Sequence, residues 1–467
     1  MGDAKLRVAI IGAGIGGLVL ALSLHRFSKN VSVDIYEYAA ELTEHGAGIA
    51  VWERPWKILV DLGLEKDLQT IANREGPAAH LGYRKSDQQN GVDFHNPTTR
   101  YGMANFHRGE FQQVLSKHLP PSYTIHFSKK LVSYTEPDSG EIVLNFQDGS
   151  LATCDVIVGC DGVRSVVRGT LYRSFAEKAE RNGDNAMAAK ALSHVNATHS
   201  GFSAYRGLFP TEKLLRRFPN HKVTAGPLVC FGKNRNFVVY PVSQGRAINV
   251  VVFFSQPELE GKLYDGPWMV PAETQEMVDR FHAWEPEAKG VLECMENVSL
   301  WAVNTVVGLP TFVGRRVALL GDAAHAMTPH HGSGAGQAFE DAYILASVLG
   351  HPSVTLATVD QALHVYDAIR RPFVQDVQRR SHYSGKLYQL SGPECQALSE
   401  EDSASGAVSV EKLAEVANAI DDTMNWMGMG SGMSERTRAL NMLECSMARS
   451  GESAPAAVAS VFPMHRL

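Results

Sequence analysis

Two glycine-rich turns and a single acid carry the most chemical content in this chain. Near the start, Gly12-Ala13-Gly14-Ile15-Gly16-Gly17 has GxGxxG spacing, and Glu37 stands 20 residues beyond Gly17. In that pattern Gly12 permits a tight turn, Gly14 lets backbone approach a pyrophosphate, and Gly17 lets a helix pack closely on a strand. The first amides of that helix face the phosphates, and an acid at that interval meets a ribose hydroxyl. Dinucleotide binding is the implied chemistry, and a glycine-rich structural turn is the competing explanation. The motif does not choose between NAD and FAD.

Two-thirds along the chain, Gly321-Asp322-Ala323-Ala324-His325 precedes a second glycine-rich run, His330-His331-Gly332-Ser333-Gly334-Ala335-Gly336. A helix predicted over 337–349 would present its first amides to a flat ligand, with the loop backbone at Gly334 and Ala335 close by. A reduced flavin carries negative charge near N1 and the C2 carbonyl, which such amides would stabilise. Asp322 could accept hydrogen bonds from ribitol hydroxyls. This second turn favours FAD. The three histidines could instead suggest a metal, but no acidic partner stands at ligand spacing and Pro329 interrupts the backbone, so no metal is expected.

Strands and helices must hold these turns in place. Leu6-Arg7-Val8-Ala9-Ile10-Ile11 suits a strand buried on both faces, residues 18–27 a helix, and Val31-Ser32-Val33-Asp34-Ile35-Tyr36 a second strand ending at Glu37. Arg315-Arg316-Val317-Ala318-Leu319-Leu320 is a further buried strand ahead of Asp322. Short β-rich runs at 201–207, 236–241 and 247–254 fit a mixed sheet roofing a cavity. Trp284 and Trp301 are candidates to close that cavity, with core packing the more expected role for each. Beyond Ser391-Gly392-Pro393, Ser409 caps a helix reaching Trp426. The Met-rich 424–430 stretch reads as packing or as a flexible cover.

Composition sets the outer limits. The chain has 467 residues, 20% charged and 44% hydrophobic, an ordinary globular balance with length for about three structural units. Its net charge of −6 gives no basic footprint for nucleic acid or anionic lipid. Six scattered cysteines without a CxxC pair fit a reducing cytoplasm and exclude a redox dithiol. The uncharged run Val8 to Leu24 mimics a signal peptide or short membrane span, but its four glycines weaken both readings, and no stable span is expected. The terminal His465-Arg466-Leu467 resembles a peroxisomal address only faintly.

Three motifs in order carry a family resemblance: the Gly12 to Gly17 turn, Asp155-Val156-Ile157-Val158-Gly159-Cys160-Asp161-Gly162-Val163-Arg164-Ser165, and Gly321-Asp322-Ala323-Ala324-His325. Together they resemble the signatures of single-component (group A) FAD-dependent monooxygenases. The likeness is greatest to the salicylate-hydroxylase type and to fungal phenol hydroxylases that dearomatise polyketides. It runs from about Arg7 to Pro372. The resemblance implies a bound FAD, a transient NADPH or NADH, O2, a phenolic small molecule and oxygen transfer from the flavin C4a position, in secondary metabolism. It places Ala50, in Gly46-Ala47-Gly48-Ile49-Ala50, beside the flavin, and Arg108, in His107-Arg108-Gly109-Glu110-Phe111, at the phosphate and ribitol region. Glu110 and Phe111 depart from the usual Asp and Leu. Asp161, Gly162, Arg164 and Ser165 would frame both cofactors, or serve only as a structural turn.

The resemblance also singles out Arg206 and Tyr240 as the pair that grips a substrate phenolate. An electrophilic oxygen needs an electron-rich ring, and a fixed guanidinium favours the ionised phenol. A sheet-edge ion pair and half-buried packing are the plainer roles for these two residues.

The expected architecture is α/β: a Rossmann-like FAD domain of the aromatic hydroxylase type, with an inserted mixed β-sheet substrate domain and a helical C-terminal extension. Its expected boundaries are 1–80, 104–190 and 309–390 for the FAD domain, 81–103 for strands toward the substrate domain, 191–308 for the substrate domain and 391–467 for the extension. An epoxidase or indole oxygenase on the same scaffold, or a flavin-binding protein without oxygenase activity, are the rival functions. The sequence leaves the oligomeric state, the substrate and the choice of NADH or NADPH open.

Overall fold

The structure, a computed structural model, describes residues 6–28, 30–42, 48–75, 81–96 and 102–452. Gly46, Ala47 and His465-Arg466-Leu467 lie outside the described residues.

A five-stranded parallel sheet has the order Val317–Leu319, Val156–Gly159, Leu6–Ile11, Val31–Tyr36, Thr124–His126. Its central strand is apolar on both faces because helices cover both, and only Arg7 is half-exposed, held by Asp155 at 2.8 Å. Successive connections leave the Leu6–Ile11 strand to opposite sides, which makes its carboxyl end the switch point where ligands bind in such sheets. The helix Ile15–Phe27 starts there and packs along Gly334–Leu349, so both predicted glycine turns reach one place.

The first turn divides its glycines by role. Gly12 has φ +108°, and a Cβ on it would lie 2.5 Å from the Cys160 carbonyl oxygen. A Cβ on Gly17 would lie 2.1 Å from the Gly12 carbonyl oxygen. These two are required by close backbone packing. A Cβ on Gly14 would meet no atom within 4 Å, so that glycine keeps space open rather than letting protein pack.

The second sheet is mixed and eight-stranded, ordered Met269–Pro271, Glu296–Thr305, Thr198–Pro210, Ala247–Ser255, Arg235–Val242, Leu228–Gly232, Gly82–Lys85, Val92–His95. The parallel pair is Leu228–Gly232 with Gly82–Lys85. Residue alternation sorts its two faces. Tyr205, Phe237, Val239, Val250 and Val252 enter a core with Trp284. Arg206, Val251 and Val238 stand opposite one another across three strands on the other face, with Tyr240 two residues beyond Val238.

Three longer helices follow among the described residues: Val359–Tyr388, Val410–Met424 and Gly432–Glu452. Ser409 Oγ accepts from Lys412 N, the expected cap. The Met-rich stretch continues as a 3-10 helix, Asn425–Gly428, whose Trp426 is buried among Trp52, Met103, Val377 and Met427. It is packed core, not a flexible cover.

A buried ion cluster ties two of these helices, Val359–Tyr388 and Gly432–Glu452, to the turn at Gly321. Arg54 Nε donates to Glu340 Oε1 at 2.7 Å, and Arg370 donates to Asp341 Oδ1 and Glu340 Oε2, each at 2.9 Å, and to Glu435 Oε2 at 2.8 Å. Asp341 Oδ2 in turn accepts from Gly321 N at 3.1 Å and pairs with His325 Nε2 at 2.5 Å. The backbone preceding Asp322 is therefore set by a charge network rooted in four helices, Glu53–Asp61, Gly334–Leu349, Val359–Tyr388 and Gly432–Glu452.

Candidate active site

A cavity of about 480 Å³ lies between the two sheets at the carboxyl end of the Leu6–Ile11 strand. Gly14, Ala50 and Arg108 contribute from one side, and Asp322, Gly334 and Ala335 from another. Ala50 sits in the strand Gly48–Trp52 rather than in a turn, Arg108 opens the helix Arg108–Lys117, and Asp322 opens the short helix Asp322–His325. Gly334 and Ala335 are the first residues of Gly334–Leu349, whose exposed amides form a positive end facing the cavity.

Gly12, Gly17 and Glu37 stand behind that wall. Glu37 Oε2 accepts from Ala13 N at 2.8 Å and Oε1 from Ala39 N at 2.9 Å, so the acid braces the glycine turn with lone pairs left for a ribose. The 161–165 turn is likewise divided. Asp161 Oδ2 accepts from Val166 N at 2.7 Å and Ser165 Oγ from Arg168 N at 2.9 Å, capping the helix Val166–Arg181. Gly162 lines the cavity, and Arg164 lies 4.1 Å over the Trp268 ring at its rim.

Arg206 and Tyr240 face the same cavity from the mixed sheet, near enough to interact electrostatically. Burial pulls the Arg206 guanidinium below its ordinary value, Tyr240 and Asp322 oppose that shift and Arg108 reinforces it. Arg206 Nε is buried without a hydrogen-bond partner, and among the described residues no carboxylate forms an ion pair with this side chain. The guanidinium lies 5.0 Å over the Trp301 ring. Tyr240 is pushed up to about 12 by burial, so it remains a neutral donor. Its hydroxyl abuts Gly48, where a Cβ would fall 2.5 Å away, coupling the strand that carries Ala50 to the tyrosine.

Sequence reasoning left the roles of two participants undecided or unseen. Trp301, a candidate to close the cavity with core packing its more expected role, lines it, whereas Trp284 is core. Trp301 stands on the strand Glu296–Thr305, whose residues 301–304 all line the cavity, whereas Trp284 lies just ahead of the helix Pro286–Cys294. His330, noticed only as a possible metal ligand, is buried against Phe253 at 4.6 Å and Phe202 at 4.9 Å, with neither ring nitrogen hydrogen-bonded.

These histidines predict an acid sensitivity. Burial holds His330 well below the usual imidazole value and lowers His331 to about 3. Both stay neutral when folded, while the unfolded chain protonates below about 6.5, so folding stability falls with pH from there toward 3. Each group contributes about 1 kcal/mol per pH unit in that window. The His331→Gln variant should show a shallower loss of thermal stability between pH 7 and 5, and an unchanged slope would refute the assignment.

An FAD binding domain sequence model matches residues 5–381. The chain belongs to the FAD binding domain family. This FAD-dependent monooxygenase is 33% identical to "FAD-dependent monooxygenase str9" of Strobilurus tenacellus, over 95% of this chain and 98% of that one. It is 34% identical to a salicylate hydroxylase of Pseudomonas putida, over 83% of this chain and 86% of the relative. Among solved structures, a salicylate hydroxylase substrate complex matches with a TM-score of 0.76 at 31% identity, covering 93% of this chain and 98% of that one. The family match stops short of the helices beyond residue 388. FAD fits the geometry: the open space at Gly14 and the helix start at Gly334 are places where side chains would intrude on a flat, phosphate-bearing ligand.

Proposed function

We propose that this monooxygenase hydroxylates a phenolic aromatic small molecule bound as its phenolate between Arg206 and Tyr240, at the expense of NAD(P)H and O2. The observation that carries this reading is the buried Arg206 guanidinium, since a desolvated cation calls for an anion. Its Nε has no hydrogen-bond partner and it forms no ion pair with a described carboxylate, Asp322 acting on it only from a distance. Relatives named salicylate hydroxylase act on a phenol, in agreement. FAD supplies the hydride acceptor and the site of O2 activation, with Gly14, Arg108, Asp322, Gly334 and Ala335 as its proposed contacts and Gly12, Gly17, Glu37 and Ala50 shaping the wall.

The protein's own groups do the rest. Arg206 favours the ionised phenol and so raises electron density on the ring. The Tyr240 hydroxyl donates to the phenolate oxygen and fixes which carbon faces the flavin. Phe253, Val238 and Val251 keep water from the reacting carbon. A methyl group on that carbon leads to a dearomatised ketone, and a hydrogen or carboxyl group leads to an aromatic diol. We place the substrate domain at 191–308, between the FAD segments, and the protein in the cytoplasm, where its six free cysteines stay reduced. Among the described residues no helix is long and apolar enough to cross a membrane.

The test is a panel of phenols with and without neighbouring substituents, following NAD(P)H oxidation, O2 uptake and product mass. Phenols should stimulate NAD(P)H oxidation and gain one oxygen atom; stimulation only by non-phenolic alkenes or indoles would overturn the reading. In the Tyr240→Phe variant, kcat/KM should fall about tenfold or more, the worth of one hydrogen bond to a charged acceptor. Because that hydroxyl is neutral well above pH 9, the loss should be the same across the working pH range.

His330 gives a further expectation. As a neutral ring it offers one donor and one acceptor to a second oxygen substituent. The His330→Leu variant should lose turnover of phenols bearing such a substituent while retaining turnover of simple phenols, and equal loss on both would remove this role.

A further inference from the structure

The helices beyond residue 388 make their hydrogen-bonded contact with the glycine-rich loop at His331. His331, fully buried, precedes the loop that carries Gly334, and every polar atom of its ring is engaged. Trp426 Nε1 lies 3.3 Å from His331 Nδ1, and the two ring planes are inclined by only 23° with centroids 6.3 Å apart, as suits an edge-to-edge hydrogen bond. An indole N–H only donates, so His331 Nδ1 is the acceptor and a neutral ring carries its proton on Nε2. That proton is donated to Ser384 Oγ at 2.8 Å, with Thr423 Oγ1 at 3.2 Å. Ser384 Oγ lies 2.6 Å from Thr423 Oγ1, which itself donates to the Ile420 carbonyl at 2.6 Å.

The donors therefore run in a single direction: Trp426 to His331, His331 to Ser384, Ser384 to Thr423, Thr423 to a backbone carbonyl. Both ends of this chain stand on the C-terminal extension, and its middle holds the loop and the helix Val359–Tyr388 together. The main chain of His331 is fixed as well, its carbonyl accepting from Trp52 Nε1 at 2.9 Å and its N–H donating to Ser381 Oγ at 3.3 Å. The residues that follow need such an anchor. Gly332 takes φ +60°, and the glycines at 332, 334 and 336 give the loop more freedom to lose than any other sequence would. A cradle held in place before the ligand arrives binds it more tightly.

We propose that Trp426 and Thr423 are positioning residues of the flavin site, holding His331 in one tautomer so that the His330–Ala335 loop presents the Gly334–Leu349 amides to FAD. The proposal rests on the reading of Gly334 and Ala335 as flavin contacts and is independent of the substrate.

The full-length chain, stripped of FAD, is titrated with FAD by fluorescence quenching. Trp426→Phe and Thr423→Val should each raise the FAD Kd about tenfold, the worth of one buried hydrogen bond left unmade. They should also shift the visible flavin band and increase the share of NAD(P)H oxidised without hydroxylated product. Thr423→Ser, which keeps the hydroxyl, should restore all three. Lys233→Met is the control for general loosening. Lys233 joins the same extension to the mixed sheet through the Leu390 carbonyl at 2.9 Å and the Cys395 carbonyl at 3.1 Å, and its loss should lower thermal stability without changing the FAD Kd. Wild-type FAD affinity in Trp426→Phe and Thr423→Val overturns the proposal, as does equal weakening by Lys233→Met. Gly334→Val separates the premises: if it binds FAD normally the cradle itself is misassigned and the proposal falls with it. If it abolishes binding while Trp426→Phe and Thr423→Val bind normally, only the role of the extension is lost.

Discussion

Arg206→Ala should lower kcat/KM for a phenolic substrate by about 100-fold to 1,000-fold while leaving FAD content unchanged. The magnitude follows from removing a charge that meets its counter-ion in a desolvated cavity, an interaction of about 3–4 kcal/mol. FAD should be retained because Arg206 stands on the mixed sheet, opposite Val251, and not on either glycine turn. The pH profile distinguishes an anchor from a packing residue. With Arg206 present, the bound phenol ionises at neutral pH; without it, ionisation requires solution near the free phenol's own value, about 10. The variant should therefore recover part of its activity as pH rises toward 10, measured as steady-state kcat/KM with flavin content followed by absorbance. A uniform loss at every pH would mean that Arg206 only shapes the cavity, and full activity at pH 7 would end the phenolate reading. Arg206→Lys should fall between the two, keeping the charge but not the fork of donors.

The second large effect belongs to stability. Arg370→Met should destabilise the fold by about 3–5 kcal/mol, because it leaves Glu340 and Asp341 ionised and buried with their shared cation gone. Burial by itself would pull the Arg370 guanidinium down, yet Glu340, Glu435 and Asp341 together push it above its ordinary value, so the cation is held firmly in its charged form. Glu435→Gln should cost far less, since that carboxylate is 14% exposed and its partners Arg54 and Arg370 keep Glu340. Thermal unfolding of the FAD-free chain measures both. Flavin release at lower temperature should accompany the Arg370→Met loss, because Asp341 holds Gly321 N immediately before Asp322. Equal destabilisation by the two variants would show that the cluster is not organised around Arg370.

Much of the cofactor side was legible because it is written in local sequence. A GxGxxG turn needs glycine where backbone meets backbone, and the observed approaches at Gly12 and Gly17 are those contacts. The order of three motifs identified the family, and the apolar runs at 6–11 and 317–319 marked strands covered on both faces. Alternation in the middle of the chain revealed strands, but not which face would enclose the cavity. That depends on which neighbouring sheet or helix covers each side. The same limit applies to Trp284 and Trp301, the first packed in the core just ahead of the helix Pro286–Cys294 and the second lining the cavity from the strand Glu296–Thr305.

The sequence alone determined that the chain binds a dinucleotide through a strand, a turn and a helix, and with the later motifs that this dinucleotide is FAD in a monooxygenase. Those features depend on residues within a few positions of each other. Tertiary structure alone decided that Arg206 forms no ion pair with a described carboxylate, that His330 faces the cavity with bare ring nitrogens, and that Trp426 and Thr423 reach His331 from the helices Asn425–Gly428 and Val410–Met424. The reason is physical: whether a polar group is satisfied depends on every atom within about 3 Å of it, and those atoms come from segments far apart in the sequence.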